Sequence, residues 1–323
     1  MGFKLRFFVI IGITLILSGC GTNSIKKEVN TEESTYSQFK AKIKNSDNIA
    51  RQDVAYEGDT ISYGILNEEG YVESEIYNYS IGEDFEKFID IGNFIDSDMK
   101  YKLLIFNNYK QIDFQIEEES VRSYDVIIEK GKDLQIPLKI TSLNEGLNDI
   151  IIIIVVDPRS DLSEEECQYN PYASILYLRR NIYVENNTIP SYEITELDVE
   201  EKSLLEVSIH KNIETSNKIF SSHSAKKNED IEYYATIGNT GEKEEEYLVI
   251  LLEDWEQKEL FDNKDSIVVS LPEDHKITLP IKTSFETPGS HEITVLRIAN
   301  CYQEIDPYSF DVEAANTLWI DIK

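Results

Sequence analysis

Four histidines, His210, His223, His275 and His291, all fall in the second half of the chain. His275 and His291, backed by Asp274 or Glu292, could close a tetrahedral zinc site if one end of a fold brought them together. No H-x-x-x-H or H-E-x-x-H spacing accompanies them, so solvated loop histidines are the expected reading. Acidic runs at Asp96-Ser97-Asp98, Glu117 to Glu119, Glu164 to Glu166 and Glu242 to Glu246 could offer oxygens to calcium. None combines alternating oxygens with a turn glycine and a distal glutamate, and they read as solvated surface. There is no G-x-S-x-G elbow, and Gly289-Ser290-His291 is a turn whose serine and histidine are poorly placed to meet. Cys167 and Cys301 lack C-x-x-C neighbours, so neither a zinc ribbon nor a redox pair is expected. With 61 acids in the chain, no carboxylate pair stands out for glycoside hydrolysis. No catalytic residue, metal site or cofactor is assigned, and an enzyme is not expected.

The remaining candidates are aromatic. Tyr169 and Tyr172 follow the apolar run Ile150 to Val156, and Tyr302 and Tyr308 occupy the corresponding stretch later in the chain. Tyrosine gives a binding loop apolar area with a polar tip at low entropy cost. Asn170-Pro171-Tyr172 and Asp306-Pro307-Tyr308 also fit turns that pack a tyrosine on the end of a fold, and that reading is preferred.

The N-terminus carries Lys4 and Arg6, an apolar stretch from Phe7 to Leu17, and then Ser18-Gly19-Cys20. A basic start, a short apolar run and small residues before a cut are the parts of a secretory signal. A membrane span needs ~20 apolar residues, so the run is too short for one. Leu17-Ser18-Gly19-Cys20 resembles the lipobox of bacterial lipoproteins, in which the cysteine sulfur receives a diacylglyceryl group before cleavage. The resemblance implies a signal peptide over 1–19 and lipid attachment at Cys20. It further implies an exported protein held on the extracytoplasmic face of a bacterial membrane. Two acyl chains suit this task, because one chain alone binds only marginally.

The chain has 61 acidic and 31 basic residues, a formal net charge of −30. Such a surface repels phosphate backbones and anionic headgroups, so nucleic acid is not an expected partner and the lipid must do the tethering. At 41% hydrophobic residues the chain can still bury substantial cores.

An internal duplication organises the chain beyond its first 48 residues. Ile91-Gly92-Asn93 returns as Ile237-Gly238-Asn239, and the same offset of 146 pairs Tyr109 with Trp255 and Gln111 with Gln257. Pro137-Leu138-Lys139 matches Pro280-Ile281-Lys282 at 143, and Gly146 matches Gly289. A last segment aligns at 136, placing Tyr183 on Trp319. Offsets that fall in steps are what two copies with loops of different length produce. The expected division is a lipidated N-terminus and polar spacer over 20–48, which could hold a short helix, then domains over 49–187 and 200–323 joined by a linker over 188–199. Each domain is expected to fold alone, and a short linker allows an end-to-end arrangement that keeps Cys167 and Cys301 unbonded.

Both copies read as β-structure. Tyr101 to Phe106, Tyr124 to Ile128, Ile150 to Val156, Tyr247 to Leu252, Ile267 to Leu271 and Ile293 to Ile298 are short, β-branched or aromatic runs between turn residues. Leu134 to Ile140 and Ile277 to Lys282 alternate, and their Pro137 and Pro280 point to edge strands or bulges. The pattern predicts an all-β protein of two tandem β-sandwiches related by internal duplication. In its strand spacing and Pro-Gly turns it resembles the immunoglobulin-like domains of bacterial surface proteins, without the cysteine pair and intervening tryptophan of antibody domains. The function expected is a non-catalytic binding or structural module of the cell envelope, with an envelope protein or polysaccharide as partner. The alternative is an accessory or solute-binding lipoprotein presenting a small ligand or cation to a membrane partner. The α/β cleft usual for that role is absent from the pattern.

Overall fold

The computed structural model describes residues 60–67, 69–72, 76–141, 143–158, 174–201, 205–212, 222–305 and 311–323. The lead segment with Cys20, the spacer 20–48 and Cys167 lie outside them. The first half contains β1 (Ile61–Leu66), β2 (Ile76–Tyr79), β3 (Phe85–Asn93), β4 (Met99–Asn107), β5 (Lys110–Gln111) and β6 (Phe114–Ile116). It continues with β7 (Glu119–Val121), β8 (Ser123–Ile128), β9 (Lys132–Ile140), β10 (Gly146–Val156) and β11 (Ser174–Val184). The second half contains β12 (Glu200–Glu201), β13 (Val207–His210), β14 (Ser222–Ala225), β15 (Ile231–Gly238), β16 (Glu245–Glu253) and β17 (Glu256–Lys258). It ends with β18 (Ser266–Leu271), β19 (His275–Thr283), β20 (Gly289–Ala299), β21 (Val312–Ala314) and β22 (Leu318–Ile322). The described residues are all-β, and each half is a sandwich of two sheets.

In the first half an outer sheet ordered β1-β3-β9-β6-β7 faces a sheet ordered β2-β11-β10-β4-β5, with β8 beside β4. Phe85, Ile89, Ile136 and Leu138 from the outer sheet meet Leu103, Ile105, Ile150 and Ile152 between them. The second half repeats the plan with an outer sheet β12-β19-β15-β13 and an inner sheet β14-β22-β20-β16-β17. Tyr233, Ile237, Leu279 and Ile281 close on Val249, Leu251, Ile293 and Val295. The inner sheets also pack against one another. Leu104, Phe106, Ile151, Ile153 and Val155 of the first half form a third core with Leu248, Ile250, Leu252, Leu296 and Ile298 of the second. The molecule is a stack of four β-layers, with neighbouring sheets ~10 Å apart. This side-by-side contact replaces the end-to-end arrangement expected from the short linker.

The third core explains a feature of the sequence. A strand covered on one face alternates, whereas one covered on both reads as a continuous apolar run. Every residue of β10 is buried. Its Ile150, Ile152 and Ile154 serve the first sandwich, and Ile151, Ile153 and Val155 serve the junction.

The ladders follow the duplication closely. Phe88 pairs with Pro137 and Tyr234 with Pro280, as offsets of 146 and 143 require. The last segment departs from expectation. Val184 pairs with Gly146 and Ile322 with Gly289, so the offset there is 138 and Tyr183 corresponds to Asp321, not Trp319. A slip of two residues keeps every side chain on its own face, so the apolar pattern could not detect it. By the same ladders His210 pairs with Tyr234 and Leu66 with Phe88; His210 therefore stands where the first half has Leu66.

Both strand prolines sit where no further ladder bond is needed. β6 reaches β9 only at Leu138 and Lys139, one residue short of Pro137, and β12 reaches β19 only at His275 and Lys276. Neither strand is an outermost one, but each is locally an edge at its proline.

The chain between the halves docks on both. Leu147 N donates to Thr188 O (2.8 Å) and Thr195 N to Val268 O (2.7 Å). Gly146 has φ +87°, and a Cβ there would lie 2.5 Å from Thr188 O. Gly146→Ala should therefore lower stability by roughly 2 kcal/mol, combining left-handed strain with a backbone clash. At Gly289 (φ +125°) an added Cβ meets nothing within 4 Å. Thermal melts of the two alanine variants should show the larger loss at position 146; equal losses would mean that the approach of Thr188 is unimportant.

Candidate functional site at the junction of the two sandwiches

The strongest concentration of polar chemistry among the described residues lies in the third core. Asn108-Tyr109 links β4 to β5, and Asp254-Trp255 links β16 to β17, each as a two-residue hairpin turn. All four residues have positive φ (46° and 66°, 51° and 65°), the conformation that tight hairpins demand and that normally favours Asn-Gly or Asp-Gly. A bulky residue at the second position is strained. In exchange, Tyr109 and Trp255 are carried into the junction and buried there.

Between these hairpins the two halves exchange matching bonds. Gln111 N donates to Gln257 Oε1 (2.7 Å), and Gln257 N donates to Gln111 Oε1 (2.8 Å). Gln111 Nε2 donates to Trp255 O (3.1 Å), and Gln257 Nε2 donates to Tyr109 O (2.9 Å). The residues exchanged differ by the repeat offset of 146, so an approximate two-fold axis passes between the glutamines.

Away from the axis the symmetry gives way to an ion cluster. Odd-numbered residues of β11 face the junction, which brings Arg179 there with a side chain 2% exposed, against Asp149 at 0% and Asp311 at 3%. Arg179 Nε and Nη2 donate to Asp149 Oδ1 (2.9 Å) and Oδ2 (2.5 Å) in a bidentate pair. Nη1 donates to Asp311 Oδ2 (2.9 Å) and Ala299 O (3.1 Å), and Nη2 also reaches Asn300 O (2.8 Å) and Tyr109 OH (3.1 Å). Tyr109 OH donates to Asp149 Oδ2 (2.5 Å) and accepts from Tyr302 N (2.8 Å). Asp149 and Tyr109 belong to one half, and Asp311, Asn300 and Tyr302 to the other.

Burial works against the Arg179 charge, but the hydrogen-bonded Asp149 outweighs it and holds the guanidinium protonated above its ordinary range. Burial, reinforced by Asp149, pushes the Tyr109 phenol well up and keeps it a donor. Every guanidinium N–H is engaged within the protein. The arrangement can fix the relative orientation of two sandwiches; it leaves Arg179 no N–H with which to recognise an external anion.

Of the residues singled out from the sequence, Cys20, Tyr169, Tyr172 and Tyr308 lie outside the described residues. Tyr302 lies at the junction. Its ring meets Tyr109 edge-on at 4.8 Å and stacks on Tyr192 at 5.0 Å, a packing role between the halves. Burial raises its hydroxyl to about 12. Cys301 is a free, buried thiol in the same core, and burial raises it to about 12. A thiol so far from its thiolate form is a poor nucleophile.

The pair imagined for zinc is not formed. His275 opens β19 and His291 follows the turn at its far end, which separates them by ~25 Å along the strand. His291 Nδ1 faces Asp254 Oδ2 at 2.7 Å, Nε2 donates to Thr287 O (2.9 Å), and the ring stacks on Phe285 at 4.1 Å. Among the described residues no three His, Cys, Asp or Glu side chains converge as metal ligands.

The ion cluster was not foreseen from the sequence. Asp149 recurs as the buried acid Glu292, but Arg179 and Asp311 have no charged counterpart in the other repeat, so duplication could not mark the cluster as a whole. The glutamines could have been found, because Tyr109-Lys110-Gln111 and Trp255-Glu256-Gln257 recur at the repeat offset as Tyr-x-Gln and Trp-x-Gln.

No family model matches the chain, and no curated protein matches it. Solved structures similar to it include red sea bream transglutaminase, at 10% identity and a TM-score of 0.23, covering 82% of this chain and 31% of that one. The chain thus spans about a third of the transglutaminase. Another is the E. coli chaperone DraB, at 8% identity and a TM-score of 0.26, covering 82% and 97%. A CARDB domain from Pyrococcus furiosus, in complex with di-metal ions, has 12% identity and a TM-score of 0.27, covering 43% and 99%.

Proposed function

We propose that this chain is a lipid-anchored, non-catalytic module of a bacterial cell envelope, in which two β-sandwiches clamped as one slab are displayed outside the membrane. The observation that carries this reading is Leu17-Ser18-Gly19-Cys20 directly after a basic start and an apolar run. The clamp adds support, because a buried ion cluster shared by both halves gives a displayed surface fixed geometry. An envelope protein or polysaccharide is the partner class, and the lipid on Cys20 supplies the membrane contact.

Mass spectrometry of the mature N-terminal peptide tests the anchor. The expected peptide begins at Cys20 with a diacylglyceryl modification, and Cys20→Ser should abolish lipid labelling. A mature N-terminus elsewhere, or an unmodified Cys20, would refute it. In-cell cross-linking from the folded slab, read against the Cys20→Ser protein, then tests for a partner that is engaged only at the membrane.

A further inference from the structure

His210 is a buried imidazole in a position the fold does not reserve for histidine. It closes β13, the four-residue edge strand of the outermost sheet of the second sandwich. Its residue exposure is 0%. The ladder-equivalent residue in the first sandwich is the buried Leu66, so an apolar side chain satisfies the same place in the same architecture.

Of the two ring nitrogens, Nδ1 has a fixed role and Nε2 faces a hydroxyl that can donate or accept. Asn212 O can only accept, so Nδ1 (2.9 Å away) carries the proton. Nε2 therefore accepts from the Thr236 hydroxyl at 2.6 Å. The ring lies over Tyr234 of β15 with centroids 6.1 Å apart. Among the described residues the charged groups that act on it are Glu200 on β12 and Lys276 on β19, which pair with each other at 3.3 Å. Burial lowers the His210 pKa, with Lys276 lowering it and Asn212 O and Glu200 raising it. Protonation would place a cation in a site where, among the described residues, no carboxylate is in hydrogen-bond contact with the ring. Nε2 would then donate to Thr236 Oγ1, and that buried hydroxyl would have to turn its own proton elsewhere.

We propose that His210 makes β13 an acid-sensitive latch, closed on β15 when the ring is neutral and released when it is protonated. The sign follows from linkage. A histidine whose folded pKa lies below its unfolded value binds its proton more readily once released. The closed state is fully favoured above the ordinary imidazole range and loses ground as pH falls below ~6.5. In that window the opening equilibrium should grow as pH falls, by at most about tenfold per pH unit, until the folded pKa is reached. Only the second sandwich carries the device, because Leu66 cannot titrate.

Hydrogen exchange on the full chain between pH 7.5 and 5, corrected for intrinsic rates, tests the latch. Amides of β13 and their partners on β15 should lose protection progressively below ~6.5, by at most about tenfold per unit, while β1 and β3 stay level. His210→Leu should fold, as the repeat indicates, and make the β13 profile flat. If β13 shows no pH dependence, or keeps the same dependence in His210→Leu, the proposal is wrong. Should the variant fail to fold, the His210 ring resonance in the wild-type protein decides. It should resist titration until β13 opens, and an ordinary titration centred near ~6.5 would overturn the latch.

Discussion

Arg179→Ala is expected to lower the unfolding free energy by about 3–5 kcal/mol, one of the largest losses available to a single substitution in this protein. The loss comes from what remains behind. Asp149 and Asp311 are both buried, and without the guanidinium both carboxylates lose the charge-assisted bonds it gives them across the junction. A buried ion pair is by itself weak evidence of stability, since burying the charges costs about as much as their attraction returns. A triple variant, Arg179→Met with Asp149→Leu and Asp311→Leu, should therefore recover most of the loss, although Asp149 also accepts from Tyr109 and some cost will persist. Denaturant midpoints measure both. A single-variant loss below ~1 kcal/mol would mean that water reaches the cluster and screens it.

Phe106→Ala should cost about 3–5 kcal/mol by leaving a cavity in the third core, and should destabilise both halves together. Phe106 is 1% exposed and packs in a core built from both sandwiches. Calorimetry of the wild type and of Phe106→Ala should each give one unfolding transition, with the variant shifted down as a whole. If the first half melted early while the second kept its wild-type temperature, the junction would be an adhesion between independent domains. The same core bears on the expectation that each half folds alone. A separated first half would expose Leu104, Phe106, Ile151, Ile153 and Val155 as one apolar patch, which a soluble monomer rarely tolerates.

How much of the fold was legible can be judged from β10. Its run of five isoleucines and two valines announced a strand, and its place in a sandwich followed from the strands around it. The same run lacks alternation, and that was the unread sign of burial on both faces. The neighbouring Leu103 to Phe106 and Tyr247 to Leu252 carry it too. The ion cluster was illegible for a different reason. Arg179 and Asp311 lie 132 residues apart, and nothing local distinguishes them among a large number of charged residues. The lopsided edges of the stack were hidden as well. Leu248 and Val268 pair within the third core, whereas their counterparts Lys102 and Asp125 form an exposed-edge ion pair at 2.7 Å. The difference arises because the linker docks at Val268 and not at Asp125. Where a connecting segment lies is a tertiary fact that no strand pattern contains.

The reciprocal glutamines bear on how the molecule came to be. Bonds in which residue i meets j while j meets i are the mark of an isologous contact between identical subunits. Here they join two halves of one chain at the spacing of a duplication, as they would if an ancestral homodimer of single sandwiches had been fused. Fusion changes what natural selection can do with such a contact. In a free dimer each substitution appears twice and must be tolerated at both poles; in one chain the poles can drift apart. Covalent linkage also holds the partner at an effective concentration of about millimolar or more, so the contact no longer has to be strong enough to assemble from dilution. The pole with Arg179 and Asp311 and the pole with Trp255 differ as that freedom permits, and the glutamines at the axis are what the two halves share.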